Sequence, residues 1–234
     1  MFEERSQAPE LIDSPDCPAS LIRASHRFME YVNKFLGGTA VVKKFIKQES
    51  LRLNKSSLKI LDIGSGSCDI ALDVSRWCRR QGLEIKFTCV ESSGFTAQMA
   101  REKIVCANAD IELINADIFE YTPVETFDCA VGSLFFHHLT DSRIVELIKR
   151  LKNFVRHSVL INDLRRSLLI YAGCCLLTSV LPADMRHDAL LSIKKSFLPE
   201  QLRALLCEIN GSTILVDTAF IGRVKAIIQF NKGE

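Results

Sequence analysis

The chain has 234 residues, of which 47% are hydrophobic and 25% charged, enough to bury the core of one large domain. A formal net charge of +2 leaves no strong field for holding a polyanion, which argues against a nucleic-acid partner and toward a small molecule. Nine cysteines, an odd count without a CxxC pair, read as reduced thiols of a cytoplasmic protein, and none has the paired spacing of a zinc site, so no metal is expected.

The segment Met1 to Glu10 is polar and acidic and lacks the basic and apolar regions of a signal peptide, in keeping with a cytoplasmic location. Residues Pro18 to Ser50 read as helical, with Leu21, Ile22, Phe28, Met29, Val32 and Phe35 on one face and an interruption at Gly37-Gly38. Residues 1–50 are therefore expected to form an N-terminal helical cap, and residues 51–234 the main domain. From Leu58 onward, apolar runs alternate with helical patterns: strand Leu58 to Ile63, helix Asp69 to Gln81, strand Ile85 to Val90, helix Phe95 to Cys106. Strands Ile111 to Asn115 and Phe127 to Val131, helix Asp141 to Leu151 and strand Val155 to Ile161 continue the series. That alternation indicates βαβ units around a parallel sheet.

A long helix, Leu164 to Leu181, is predicted next, then a proline-marked loop from Pro182 to Ser196, a helix opened by Pro199 and Glu200, and extended runs Ser212 to Thr218 and Val224 to Phe230. The fold class is thus α/β, with seven strands, mostly parallel, and helices on both faces. Residues 164–198 are the expected substrate-covering insertion. Its apolar run, Ser167 to Ala183, is shorter than the roughly 20 residues a spanning helix needs. Arg165, Arg166 and Arg186 at its ends would suit a membrane surface, but a buried or interfacial helix is the expected state, without membrane contact.

The first long strand ends in Asp62-Ile63-Gly64-Ser65-Gly66-Ser67-Cys68-Asp69. Two closely spaced glycines let a ligand approach the backbone, and the helix that follows offers free amides. In an open parallel sheet, ligands bind beyond the carboxyl ends of the strands where the strand order reverses. Asp62, Glu91, Asp117, Ser133 and Asp163 all fall at such ends. Glu91 can accept both hydroxyls of a ribose, which a neutral residue would leave unpaired. The third glycine of a dinucleotide fingerprint is missing, and Asp62 and Asp69 would repel a pyrophosphate. They suit a cation.

These residues, from about Leu58 to Leu164, resemble the class I S-adenosylmethionine-dependent methyltransferases. The resemblance implies a Rossmann-like sheet, S-adenosyl-L-methionine as cofactor, Asp62 and Gly64 near its amino-acid part and Gly66 under its ribose. It further implies Glu91 on the ribose hydroxyls, Asp117 with Ile118 beside the adenine, and Ser92 and Ser133 among the cofactor-binding residues. Cys68 stands where the family usually has glycine. The tracts Ser133 to Leu139, Asn162 to Ser167 and Arg186 to Phe197 resemble a bacterial group associated with aromatic polyketide or quinone-like acceptors.

Methyl transfer needs the nucleophile held in line with an activated donor and, for a hydroxyl, a proton acceptor. His137 is the candidate base and Asp163, on the next strand, the carboxylate that orients it. His138, Arg166 and His187 are the candidate substrate-binding residues. Each has a plainer alternative: the histidines as packing or cap residues, Asp163 as a helix cap, and the arginine in a surface pair. An NAD(P)-dependent oxidoreductase and a non-catalytic interaction protein that keeps the fold remain the alternative functions at this point.

Overall fold

A computed structural model describes residues 3–14, 16–219 and 222–231; the remaining positions lie outside the described residues. Two helices, α1 (Ala19–Phe35) and α2 (Gly38–Leu53), precede β1 (Ser57–Ile63), α3 (Asp69–Arg80), β2 (Glu84–Glu91), α4 (Gly94–Cys106) and β3 (Ile111–Asn115). Then come β4 (Phe127–Ser133), α5 (Asp141–Leu151), β5 (Val155–Leu164), α6 (Leu168–Leu177), α7 (Ala183–Lys195), α8 (Pro199–Leu206), β6 (Ser212–Ala219) and β7 (Arg223–Phe230).

The strands form one sheet in the order β3-β2-β1-β4-β5-β7-β6. Strands β1 to β5 pair in parallel, and β7 runs antiparallel to both β5 and β6. After β3 the chain returns to the other side of β1 to lay down β4, so the order reverses between β1 and β4, where a doubly wound sheet opens a crevice.

Strand alternation sorts the core between the two faces. Leu61, Ile63, Ala130, Val159 and Ile161 join a cluster with Ile144, Leu147, Ile148 and Leu202 of α5 and α8. Leu58, Ile60, Cys129, Val131 and Leu160 join the opposite cluster with Val42, Phe45 and Ile46 of α2 and Val74 of α3. The apolar face of α2 is thus built into the main core.

Two expectations are corrected. Strand β5 does not stop at Ile161 but continues through Asn162 and Asp163 to Leu164, because β7 pairs with it along that length; the following helix starts at Leu168, not Leu164. The expected loop after Pro182 is instead the 13-residue helix α7, with Pro182 as its N-cap.

Candidate active site

The glycine turn leaves β1 with Gly64 and Gly66 at φ +60 and +54 and Cys68 at +58, all in the left-handed region. A Cβ on Gly64 would lie 2.2 Å from Cδ2 of Phe135, and one on Gly66 3.3 Å from Cε1 of His26. The glycines therefore accept an aromatic ring from the end of β4 and an imidazole from α1 against bare backbone. Leu134, next to Phe135, is itself held at φ +55, a strained turn that aims the ring back over the loop. The His26 Nε2 atom lies 3.2 Å from Oγ1 of Thr96, and burial, with the nearby Lys103 charge, lowers this histidine to about 4. It is neutral at physiological pH.

Three acids gather around this turn. Asp62 is 3% exposed, and burial, reinforced by Asp69 and Glu91, pushes its carboxyl up to about 8. Glu91 accepts from the amides of Gly66 at 3.0 Å and Ser93 at 2.8 Å; burial raises it despite these bonds. Burial also raises Asp69, although the Asn33 amide donates to it at 3.1 Å. An acid-rich, desolvated turn stabilises a cation and opposes a pyrophosphate, so the residues present fit a sulfonium nucleoside with an ammonium group.

Helix α1 ties the turn down. Glu30 accepts from the Ser67 hydroxyl at 3.2 Å and pairs with Lys103 of α4, which also donates to Ser67 at 3.0 Å. Asn33 links Asp69 to the buried Arg223 at the start of β7, whose Nη2 donates to Asn33 Oδ1 at 2.9 Å.

Beyond the ends of β4 and β5, His137 and Asp163 meet. His137 Nδ1 lies 2.7 Å from Asp163 Oδ1, and the His137 amide donates to Oδ2 at 3.1 Å. The Leu164 amide donates to Oδ1 at 2.7 Å. Burial works against an ionised Asp163, but the His137 charge and hydrogen bond, with the two amides, hold it below the usual carboxylate range. In the neutral form of His137, an ionised Asp163 fixes the tautomer with hydrogen on Nδ1 and leaves the Nε2 lone pair for chemistry.

The remaining predicted residues divide. His138 Nδ1 lies 2.9 Å from Asp13 Oδ2; burial opposes its charge, yet that bond and the Glu10 and Asp13 charges raise it. Ser133 Oγ accepts from Asn162 Nδ2 at 2.5 Å. Asp117 and Ser92 are exposed at the sheet edge; the former accepts from the Phe119 amide, and the latter's carbonyl from Asn115. Ile118 sits in the core. Arg166 is buried, with its guanidinium on the Ser196 and Glu3 carbonyls and Gln201, a tether between segments. His187 lies on the exposed side of α7, whereas its neighbour Asp188 turns inward and accepts from the amides of Leu11 and Ile12, each at 2.9 Å.

Sequence reading missed the segment that covers this region. Residues 3–13 cross it as a strap. Arg5 donates to Lys195 O at 2.8 Å, to Leu139 O at 2.9 Å and to His137 O at 3.2 Å, pairs with Asp141, and lies over the Phe197 ring. Glu10, 6% exposed, places Oε1 3.7 Å from His137 Nε2 and 3.5 Å from Lys195 Nζ. Ligand atoms of Glu10, His137 and His138 lie within 4.8 Å of one another, a possible metal set among the described residues. The Lys195 ammonium already stands beside its one carboxylate. Acids in Glu10-Leu11-Ile12-Asp13 and the basic pair Lys194-Lys195 were the sequence signals, but only the fold brings them together.

Residues 60–158 match a sequence profile described as "Methyltransferase domain". Over that stretch, less than half of its length, the chain is similar to a methyltransferase domain. No curated protein shows significant sequence similarity to the chain. Among solved structures, the plantazolicin methyltransferase BpumL in complex with S-adenosylhomocysteine has a TM-score of 0.72 at 17% identity, over 95% of this chain and 93% of that one. Its complex with a pentazolic desmethylplantazolicin analogue gives a TM-score of 0.73 at 16% identity, over the same shares of the two chains. Magnesium protoporphyrin IX methyltransferase from Synechocystis PCC 6803, with bound S-adenosylhomocysteine, has a TM-score of 0.62 at 12% identity, over 91% and 96%. At these identities the likeness is one of fold, and the profile match runs from mid-β1 into β5.

Proposed function

We propose that this methyltransferase domain uses S-adenosyl-L-methionine to methylate a small-molecule acceptor in the cytoplasm. The observation that carries the reading is the placement, at the carboxyl ends of the central strands β1, β4 and β5, of the acid-lined glycine turn and the His137–Asp163 pair. Asp62 serves the ammonium of the cofactor's amino-acid part, the Gly64–Gly66 backbone and Glu91 its ribose, and Asp117 with Ile118 its adenine. Ser92 and Ser133 complete that set. The bound cofactor supplies an electrophilic methyl on a sulfonium. His137, oriented by Asp163, takes the proton of a hydroxyl nucleophile on Nε2, while His138 lines the acceptor side.

An aromatic or quinone-like acceptor is in keeping with the resemblance of the Ser133 to Leu139 tract. The similar structures include complexes with S-adenosylhomocysteine and with desmethylplantazolicin analogues, which supports the cofactor and a small acceptor. The N-terminal strap and helices α6 and α7 form the wall on that side. Nine free cysteines accord with a reducing compartment.

Isothermal titration of the full chain with S-adenosylhomocysteine and, separately, NADH tests the reading. Saturable binding of the sulfur nucleoside and none of NADH is expected; the reverse pattern overturns it. His137→Ala should keep that affinity while lowering methyl transfer to a hydroxyl acceptor about a hundredfold or more.

A further inference from the structure

Glu10, His137 and Lys195 have their polar ends close together in a buried place, and their hydrogen-bonding capacity does not close on itself. Glu10 Oε1 is buried and accepts no hydrogen bond. The Nε2 of His137 faces it at 3.7 Å, beyond hydrogen-bond reach, and the Lys195 ammonium stands off at 3.5 Å. All three residues are more than nine-tenths buried. Asp163 holds the hydrogen of His137 on Nδ1, so Nε2 and Oε1 are two lone-pair acceptors that face one another without a donor between them. Buried acceptors left without a donor are costly, and a ligand that hands a proton to His137 Nε2 places a donor facing Glu10 Oε1.

We propose that this trio is the seat for the acceptor's nucleophilic group, and that the group is an acidic hydroxyl of phenol or enol type. This deepens the methyltransferase reading and rests on it. The reasoning is one of matched donors and acceptors. A hydroxyl donates one hydrogen, which His137 Nε2 accepts, and its oxygen accepts from Lys195. A protonated amine would bring three donors and a second positive charge against Lys195. An isolated carbon nucleophile would use none of the three groups. A divalent cation among Glu10, His137 and His138 would meet the ammonium beside its only carboxylate.

The step balances without a further reagent. The hydroxyl proton passes to His137 Nε2, and the oxygen lone pair attacks the methyl carbon. The carbon–sulfur bond breaks with its electron pair going to sulfur, which leaves the thioether neutral. Lys195 stabilises the oxyanion before attack, Glu10 faces the proton that arrives on Nε2, and that proton later leaves to solvent. The ether produced can no longer donate to His137. That loss favours product release.

The test uses 4-nitrophenol, whose phenolate form absorbs visible light, and the full chain without cofactor. At a pH where the free probe is mostly neutral, adding the protein should raise the phenolate band saturably, and 4-nitroanisole should not compete. Lys195→Met should lower the band about tenfold or more, the scale of a lost charge-assisted hydrogen bond, and Lys195→Arg should restore part of it. Glu10→Gln should weaken binding while Glu125→Gln, in the exposed stretch before β4, should leave the band unchanged. No phenolate band at saturating protein, or a band that survives Lys195→Met, overturns the proposal, as does a band that requires added zinc or magnesium. S-adenosylhomocysteine titration of the same variants separates this outcome from failure of the methyltransferase reading: intact nucleoside binding with no phenolate band rejects the hydroxyl seat alone.

Discussion

Cys68 holds the backbone of a glycine without being one. Its φ of +58 costs about 1–2 kcal/mol for a residue with a Cβ, and its side chain is fully buried, with Sγ 3.5 Å from the Ser65 hydroxyl. Packing and strain therefore oppose each other here. Cys68→Gly should stay within about 1 kcal/mol of the parent, because relieved strain offsets lost packing, whereas Cys68→Ala keeps the strain and loses the sulfur and should be the less stable of the two. Urea unfolding of both variants measures the difference, and equal midpoints would show that the left-handed turn carries no strain. Asp62 makes a second prediction. Its carboxyl remains protonated up to about 8, and pairing with an ammonium requires the ionised form, so nucleoside affinity must rise with pH until that value is passed. Between pH 6 and 8, titration should show S-adenosylhomocysteine affinity rising by up to about tenfold per pH unit. Asp62→Asn should flatten the profile.

At the scale of elements, α1 holds the cofactor turn through one neutral imidazole and one ion-paired cluster. His26 is lowered from 6.5 to about 4, so between those values the unfolded chain binds a proton that the folded chain refuses. Stability is therefore lost as pH falls through that window, by on the order of 3 kcal/mol for a shift of this size. Thermal melts should show the parent losing more stability from pH 6.5 to 4 than His26→Gln, and parallel curves would remove the histidine from the account. The elements also explain what the sequence made legible. β1 to β4 follow plain apolar runs and α3 and α5 clean amphipathic spacing, and the glycine turn, Glu91 and the His137–Asp163 pair could be named from them. Helix α7 could not, because its buried face includes Asp188 and Lys195 alongside Met185, Leu191 and Ile193, which hides the helical apolar period. The extra turn of β5 was hidden likewise: Asn162 and Asp163 are wholly buried by partners distant in sequence, and polar residues in a run read as its end.

Over the whole molecule, the two halves of the site have different origins. The proposed cofactor side is local, built by successive βαβ units around the glycine turn and Glu91. The proposed acceptor side is assembled from positions 5 to 13, 137 to 141, 163 to 166 and 188 to 201, a combination that no local pattern announces. The apolar helix α6 keeps Leu168, Leu169, Leu176 and Leu177 exposed, and no helix among the described residues is long and apolar enough to cross a membrane. Arg5 is the strap's main anchor, so Arg5→Ala should speed hydrogen exchange at the amides of Ser6, Leu11 and Ile12, bonded to Lys194 and Asp188, about tenfold or more while the sheet amides keep their protection. Unchanged exchange would mean that the remaining contacts suffice.

The strap has a bearing on how the protein is made. Its partners Asp188, Lys195, Phe197 and Gln201 are synthesised after every parallel strand. The nucleoside half of the molecule can therefore form on the nascent chain well before the acceptor half. A ribosome stalled after β5 would hold a chain with the cofactor turn already made, while Glu10 of the strap still lacks the lysine that faces it.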